Sequence, residues 1–304
     1  MTPAEIDVLN RGFGIPELVA VIPGNSGLAK VRVTAPWASA DFYLHGAQLT
    51  SWQPSGAEEV LFLSEHSSWL DGRAIRGGIP VCFPWFRSNV DDPSAPAHGF
   101  VRTKEWQLES VKVEEQSVVI LSSTEDDGST QRWWPHAFRL VHKVSIGELL
   151  RLELKVMNTG QTPFRFEEAL HSYFRVSRAE GVSIRGLDQI AYLDNVDENR
   201  QKPQAGDLSL TGKTDNAYIG VHSPVELVDL GFGRRIRTEK TNSATTVVWN
   251  PWQDGAASIH DLGNDEWRQF VCVEASNILS SAISLAPGQE HSMVAIISAS
   301  PENS

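Results

Sequence analysis

The chain of 304 residues carries 26 Lys and Arg against 38 Asp and Glu, a formal net charge of -12. A duplex-binding surface needs a net basic face to displace counterions, so nucleic acid is not an expected partner. Hydrophobic residues make up 41% and charged residues 21%, which permits a large packed core and argues against disorder. Length alone does not choose between one large all-β domain and two small ones.

The opening reads as a short helix, with Thr2 as cap, Pro3 in the first turn and Glu5 three residues on, as in a capping box. That acidic start holds no apolar signal-peptide core. No apolar stretch nears the roughly 20 residues of a membrane-spanning helix. The expectation is a soluble, cytoplasmic protein with no membrane partner. Cys82 and Cys272 sit far apart in apolar runs and read as buried thiols rather than a disulfide framework or a metal site.

Beyond the helix, period-two patterning dominates. Strands are expected at Ala29–Val33, Asp41–Leu49, Val60–Leu63, Trp106–Val113, Val118–Ser123 and Phe138–Ser145. In Leu150–Val156 apolar and charged residues alternate strictly, the mark of a half-buried strand, and Asn158-Thr159-Gly160 ends it in a turn. Further strands are expected at Phe164–Phe166, Val182–Arg185, Val225–Val228, Arg235–Glu239, Thr245–Trp249, Gln269–Glu274 and Ser292–Ser298. Strands do not alternate with long amphipathic helices, which disfavours a parallel α/β sheet. The expected fold is all-β, one large antiparallel β-sandwich over residues 1–304 with few short helices. The polar stretch Asp188–Asp215 reads as a long excursion over one sheet face.

Four segments carry candidate chemistry. Residues 72–86 (GRAIRGGIPVCFPWF) combine paired glycines, which permit tight turns or close approach to a ligand, with Arg73 and Arg76. From Arg73 to Lys104 five basic residues face two acidic ones, Asp91 and Asp92. That local reversal of charge suits an anion, because the guanidinium fork matches phosphate oxygens; the alternative is arginines that brace loops. In His98-Gly99-Phe100-Val101-Arg102, an extended backbone would point His98, Phe100 and Arg102 to one side. Standing alone, His98 also reads as an ordinary turn histidine. His171, between apolar neighbours at the end of a strand, is a candidate proton donor or acceptor, or a core histidine bonded to a carbonyl. In Phe270–Asn277 alternation puts Phe270, Cys272 and Glu274 on one face. A carboxylate ending an apolar strand is costly to desolvate unless it is paired or used, and partial burial raises its proton affinity as a general base requires. Trp85, Trp249 and Trp252 lie in or beside these segments and offer flat faces for a sugar ring. P-loop, dinucleotide, zinc-finger, HExxH and G-x-S-x-G patterns are absent.

Together these segments resemble the hexose-6-phosphate mutarotases, also called glucose-6-phosphate 1-epimerases, of the aldose 1-epimerase superfamily. The resemblance rests on RAIRGGIPVCFPWF at 73–86, HGFVRTKEW at 98–106, EEALHSYFRV at 167–176, VVWNPW at 247–252 and FVCVEASN at 270–277, in that order. It implies a galactose mutarotase-like β-sandwich that interconverts the α and β anomers of a sugar phosphate. It also implies His171 as general acid and Glu274 as general base. His98, Arg76 and Arg102 would be substrate-binding, with Arg73 beside them and Asp194 as a hydroxyl-binding carboxylate. Position 97 is Ala where some members carry a glutamine. No cofactor or metal is implied; the expected partner is a small-molecule sugar phosphate, and the expected state is a monomer. With His171 starting protonated and Glu274 ionised, a bell-shaped pH profile is expected. The same chemistry on unphosphorylated aldoses, or sugar binding without catalysis, are the alternatives.

Overall fold

The computed structural model describes residues 1–302. Helix Pro3–Phe13 opens the chain with Thr2 and Glu5 forming the capping box. Strands then build three antiparallel sheets and a two-stranded ribbon. A four-stranded meander runs Val19–Pro23, Ala29–Ala35, Ala38–Tyr43 and Gln48–Pro54. A nine-stranded sheet has Glu290–Pro301 between Arg234–Thr241 and Leu150–Asn158, and continues through Phe138–Ile146 and Ser117–Glu125 to Gln107–Glu114. Its strands Phe138–Ile146 and Leu150–Asn158 alternate buried and half-exposed along their whole length, as their sequence pattern demands.

The eight-stranded sheet carries the candidate residues. At its centre Phe270–Asn277 pairs with Thr245–Asn250 on one side, and with Glu168–Leu170 and Tyr173–Arg175 on the other. Every residue of Phe270–Asn277 is buried, because the sheet is covered on both faces. Val271, Val273 and Ala275 enter the main core with Leu152, Leu154 and Val156. Phe270 and Cys272 face the other way, into a smaller cluster with Phe62, Tyr173 and Trp267. Glu274 belongs to that second face by alternation.

Four expectations are corrected. Asp41–Leu49 is not one strand: it breaks at Leu44–Ala47, where Gly46 and Ala47 both have positive φ. Val60–Leu63 makes only single bridges, Leu61 to Phe174 and Leu63 to Gly77. Residues 188–215 are not a loose excursion. Ala191–Asp194 and Arg200–Pro203 pair as the edge of the eight-stranded sheet, against Thr214–Ile219. Edge strands need bury little, so their polar sequences hide them from a period-two reading. Finally, His98–Arg102 is not extended: His98 is in a turn at φ 62° and Arg102 lies in a 3-10 turn.

Candidate active site

Backbone crossings bring the site together. Gly78 (φ 63°) and Gly99 (φ 72°) sit where a Cβ would overlap the Leu49 and Phe83 carbonyls respectively. The glycines therefore serve close approach of backbone to backbone, not to a ligand. Gly99 lets the turn bearing His98 lie against the Phe83–Pro84 segment. There Arg87 and His98 bond reciprocally: the His98 N–H donates to the Arg87 carbonyl at 2.6 Å, and the Arg87 N–H donates to His98 Nδ1 at 3.2 Å. With Nδ1 accepting, the neutral ring carries its proton on Nε2.

His171 ends the short strand Glu168–Leu170, its N–H bonded to the Pro80 carbonyl at 3.0 Å. Its ring stacks on Tyr173 (4.8 Å between centroids, 12° between planes) and meets His98 and Trp249 edge-on at 5.4 and 5.8 Å. His171 Nδ1 lies 3.4 Å from Glu274 Oε1. Among the described residues neither that nitrogen nor either Glu274 oxygen has a hydrogen-bond partner, although Glu274 is 1% and His171 5% exposed. Buried polar atoms without partners are costly and rare, and a reaction centre awaiting its substrate is one accepted reason for them.

Both groups face a cavity of about 100 Å³ whose other walls include Arg76, His98, Tyr173, Asp215 and Trp249. It shares Phe86, Arg87, His98 and Asp215 with an outer cavity of about 840 Å³ walled by Trp85, Trp133 and Trp134, so a ligand reaching the inner groups can extend outward. Trp252, by contrast, packs on Trp267 (4.5 Å) outside both.

Charge around the cavity is arranged in pairs. Arg76 donates to Asp261 at 3.2 and 3.3 Å and to the Tyr173 hydroxyl at 3.0 Å. Arg87 donates to Asp215 at 2.6 Å, and Asn195 donates to the other Asp215 oxygen at 2.6 Å. Arg102 donates to the Ala97 carbonyl at 2.8 Å and leaves Nε unbonded. Among the described residues it has no carboxylate partner. Burial, then the charges of Arg102 and Arg76, hold His171 well below the usual imidazole value. His98 is lowered for the same reasons, with His171 adding to the repulsion. Burial, reinforced by Asp215, pushes Glu274 well above the usual carboxylate value. Both shifts work against the imidazolium–carboxylate pair expected from sequence, because burial costs each ion its hydration.

Of the seven residues singled out from sequence, His171, Glu274, Arg76 and His98 line one cavity. Arg102 stands close enough for its charge to act on both imidazoles. Arg73 is exposed and only its backbone is engaged: its N–H donates to the Leu70 carbonyl at 3.1 Å and its carbonyl bonds His45 Nε2 at 2.6 Å. Asp194 is bound by Lys202 at 2.7 Å and does not line the cavity. Asp215, which does, was missed: it opens a strand with no clear alternation, and its partner Arg87 is 128 residues away. Glu167 was quoted but given no role. Its carboxylate accepts from the N–H of Phe86 at 2.9 Å and of Leu279 at 2.7 Å, tying the Arg87 segment to the end of the Phe270–Asn277 strand.

The sequence profile of the aldose 1-epimerase family matches residues 30–298. A protein of Cenchrus ciliaris with the provisional name glucose-6-phosphate 1-epimerase is 32% identical, over 87% of this chain and 83% of its own. One of the same provisional name from Salmonella typhimurium is 30% identical, over 88% of this chain and 91% of its own. The crystal structure of YeaD, provisionally named a mutarotase, also from Salmonella typhimurium, superimposes with a TM-score of 0.88 at 27% identity, covering 95% of this chain and 96% of that one.

Proposed function

The chain belongs to the aldose 1-epimerase family, and we propose that it interconverts the α and β anomers of a D-hexose 6-phosphate, glucose 6-phosphate first. One observation carries this reading. Glu274 and His171 are a buried acid–base pair whose facing atoms have no hydrogen-bond partners and open on a cavity bordered by arginines. The names of the relatives favour the phosphorylated sugar.

In the proposed reaction Glu274 carboxylate takes the proton from the anomeric hydroxyl. The O1–H electron pair forms the C1=O1 bond, the C1–O5 bond breaks, and O5 takes its proton from His171. Rotation about C1–C2 turns the other aldehyde face toward O5, and the reverse transfers close the ring. Each positioned acid or base contributes about 10² to 10⁴-fold. His98, with its proton on Nε2, serves as a donor to a sugar oxygen, and Asp215 as an acceptor for a hydroxyl. Arg76 and Arg102 are the proposed phosphate contacts; Arg73 and Asp194 have no contact that recommends them.

The electrostatics fit this course. The closed ring needs imidazolium beside carboxylate, and ring opening leaves neutral imidazole beside a carboxylic acid. Those are two distributions of one shared proton. Burial favours the second, which belongs to the open-chain sugar, so the site stabilises the high-energy side of the step. A bound phosphate dianion would offset the Arg76 and Arg102 charges that disfavour the His171 imidazolium, which makes a phosphorylated substrate better able to arm the acid. The net charge of -12 disfavours nucleic acid as a partner, and the proposed state is a cytoplasmic monomer.

The test is α/β exchange of glucose 6-phosphate by NMR exchange spectroscopy, wild type against Glu274→Gln. Fast exchange that the substitution lowers by at least about 10²-fold supports the reading. Exchange no faster than buffer, with the protein folded, overturns it. Equal kcat/KM for glucose and glucose 6-phosphate would shift it to unphosphorylated aldoses.

A further inference from the structure

Three buried groups of metal-ligating type converge at the reaction centre. One imidazole nitrogen of His171, Cys272 Sγ and one Glu274 oxygen all lie within 4.8 Å of one another. Strand alternation places Cys272 two residues before Glu274 on the same face, and antiparallel pairing sets it opposite Tyr173, two residues beyond His171. The imidazole nitrogen and both carboxylate oxygens lack hydrogen-bond partners, so each can accept a ligand without first giving up a bond.

The spacing is informative. His171 Nδ1 and Glu274 Oε1 are 3.4 Å apart. Two such ligands on a tetrahedral zinc ion, each about 2.0–2.2 Å from the metal, stand roughly 3.3–3.5 Å apart. A thiolate at about 2.3 Å would stand roughly 3.6 Å from either. From a separation of at most 4.8 Å, Cys272 has to close by no more than about 1.2 Å, within reach of one side-chain torsion and a small turn of the imidazole ring.

We propose that His171, Cys272 and Glu274 form a binding site for a thiophilic divalent transition-metal ion of the Zn²⁺ class, and that the bound ion blocks the site against sugar. The inhibitory consequence rests on the anomerase reading; the binding does not. Thiolate, imidazole and carboxylate together suit Zn²⁺ or Co²⁺, whereas Mg²⁺ and Ca²⁺ seek all-oxygen sites. Three protein ligands leave a fourth position, and His171 and Glu274 put it on the cavity side, where the sugar's O1 and O5 would lie. Binding converts the Cys272 thiol to thiolate and releases its proton, and any proton on Glu274, to solvent. The metal keeps its oxidation state. Such an ion is an inhibitor, not a cofactor, because it takes up the two groups that must exchange protons with the substrate.

The test uses the intact protein with metal salts alone. Titration with CoCl₂ should produce a thiolate-to-cobalt charge-transfer absorption in wild type and in Cys82→Ser, and none in Cys272→Ser or Cys272→Ala. ZnCl₂ should abolish that absorption and slow glucose 6-phosphate anomer exchange at least tenfold. EDTA should restore the rate, and MgCl₂ should leave it unchanged. Relative to its own metal-free rate, Cys272→Ala should need at least tenfold more Zn²⁺ than wild type for the same fractional inhibition. Absence of the cobalt band in wild type overturns the proposal without needing any variant, and so does its loss in Cys82→Ser. A cobalt band in a protein that exchanges no anomers would sink the anomerase reading and leave the metal site standing. Exchange without the band would sink the metal site alone.

Discussion

Replacing Glu274 by Gln should abolish activity and change the pH dependence of stability in a defined direction. The folded carboxyl binds its proton more tightly than the ordinary value of 4.5, through burial and the nearby Asp215 charge. A raised folded-state pKa gives stability that is complete below the unfolded value and is lost as pH climbs through the folded one. Between those limits wild type should lose up to about 1.36 kcal/mol per pH unit through this group. His171 acts oppositely: its lowered value makes folding less favourable as pH falls below about 6.5, so the two overlap in the acid range. Above pH 6.5 only the Glu274 contribution should remain, and Gln lacks it. At about 2.1 cal/mol/K of unfolding entropy per residue, a 304-residue chain loses roughly 2 °C of Tm for each 1.36 kcal/mol. The Tm of Glu274→Gln minus that of wild type should therefore grow by up to about 2 °C per pH unit above 6.5, until the folded carboxyl ionises. The absolute offset is not diagnostic, since a buried amide without partners costs about 1–3 kcal/mol itself. Thermal unfolding at half-unit steps from pH 6.5 to 9 reads the slope. A difference flat across that range would mean that the folded carboxyl is already ionised at pH 6.5; one that stays flat down to pH 4.5 as well would refute the account of Glu274 as a buried base with raised proton affinity.

Three further outcomes follow from the same geometry. The pH profile of kcat/KM should be a bell whose acid limb lies below the usual imidazole value of 6.5 and whose alkaline limb lies above the usual carboxylate value of 4.5. An acid limb centred at or above 6.5 would contradict the depression of His171. Arg102→Leu should move that acid limb upward, because it removes a charge that opposes the imidazolium. It should also raise KM for glucose 6-phosphate more than for glucose; an equal effect on both sugars would remove Arg102 from phosphate recognition. Glu167→Gln should lower kcat about tenfold with a smaller change in KM, because one of its two backbone bonds, to Phe86 or Leu279, is lost and the Arg87–His98 contact loosens. A Tm loss with unchanged kcat would make Glu167 a purely structural clamp.

Several features of this protein are local and were legible in the chain itself. The capping box of Thr2 and Glu5 is three residues wide. The alternation in Leu150–Val156 follows from a side-chain period of two and needs no partner strand to be seen. The same rule put Phe270, Cys272 and Glu274 on one face, where the structure has them. The segments around His98, His171 and Glu274 are distinctive enough to identify the aldose 1-epimerase family, whose sequence profile matches residues 30–298. The edge strands within 188–215 stayed hidden because an edge buries too little to impose a pattern. Tertiary structure alone decided which charges meet. It ties Arg76 to Asp261 across 185 residues and Arg87 to Asp215 across 128, leaves Arg102 without an acid partner among the described residues, and turns Asp194 onto Lys202. It also lowers the proton affinity of His171 and raises that of Glu274, both against the charged pair expected from sequence. Charge pairing and desolvation depend on every group that surrounds a side chain, and those groups come from distant parts of the chain, whereas strand alternation depends only on the residues next to it.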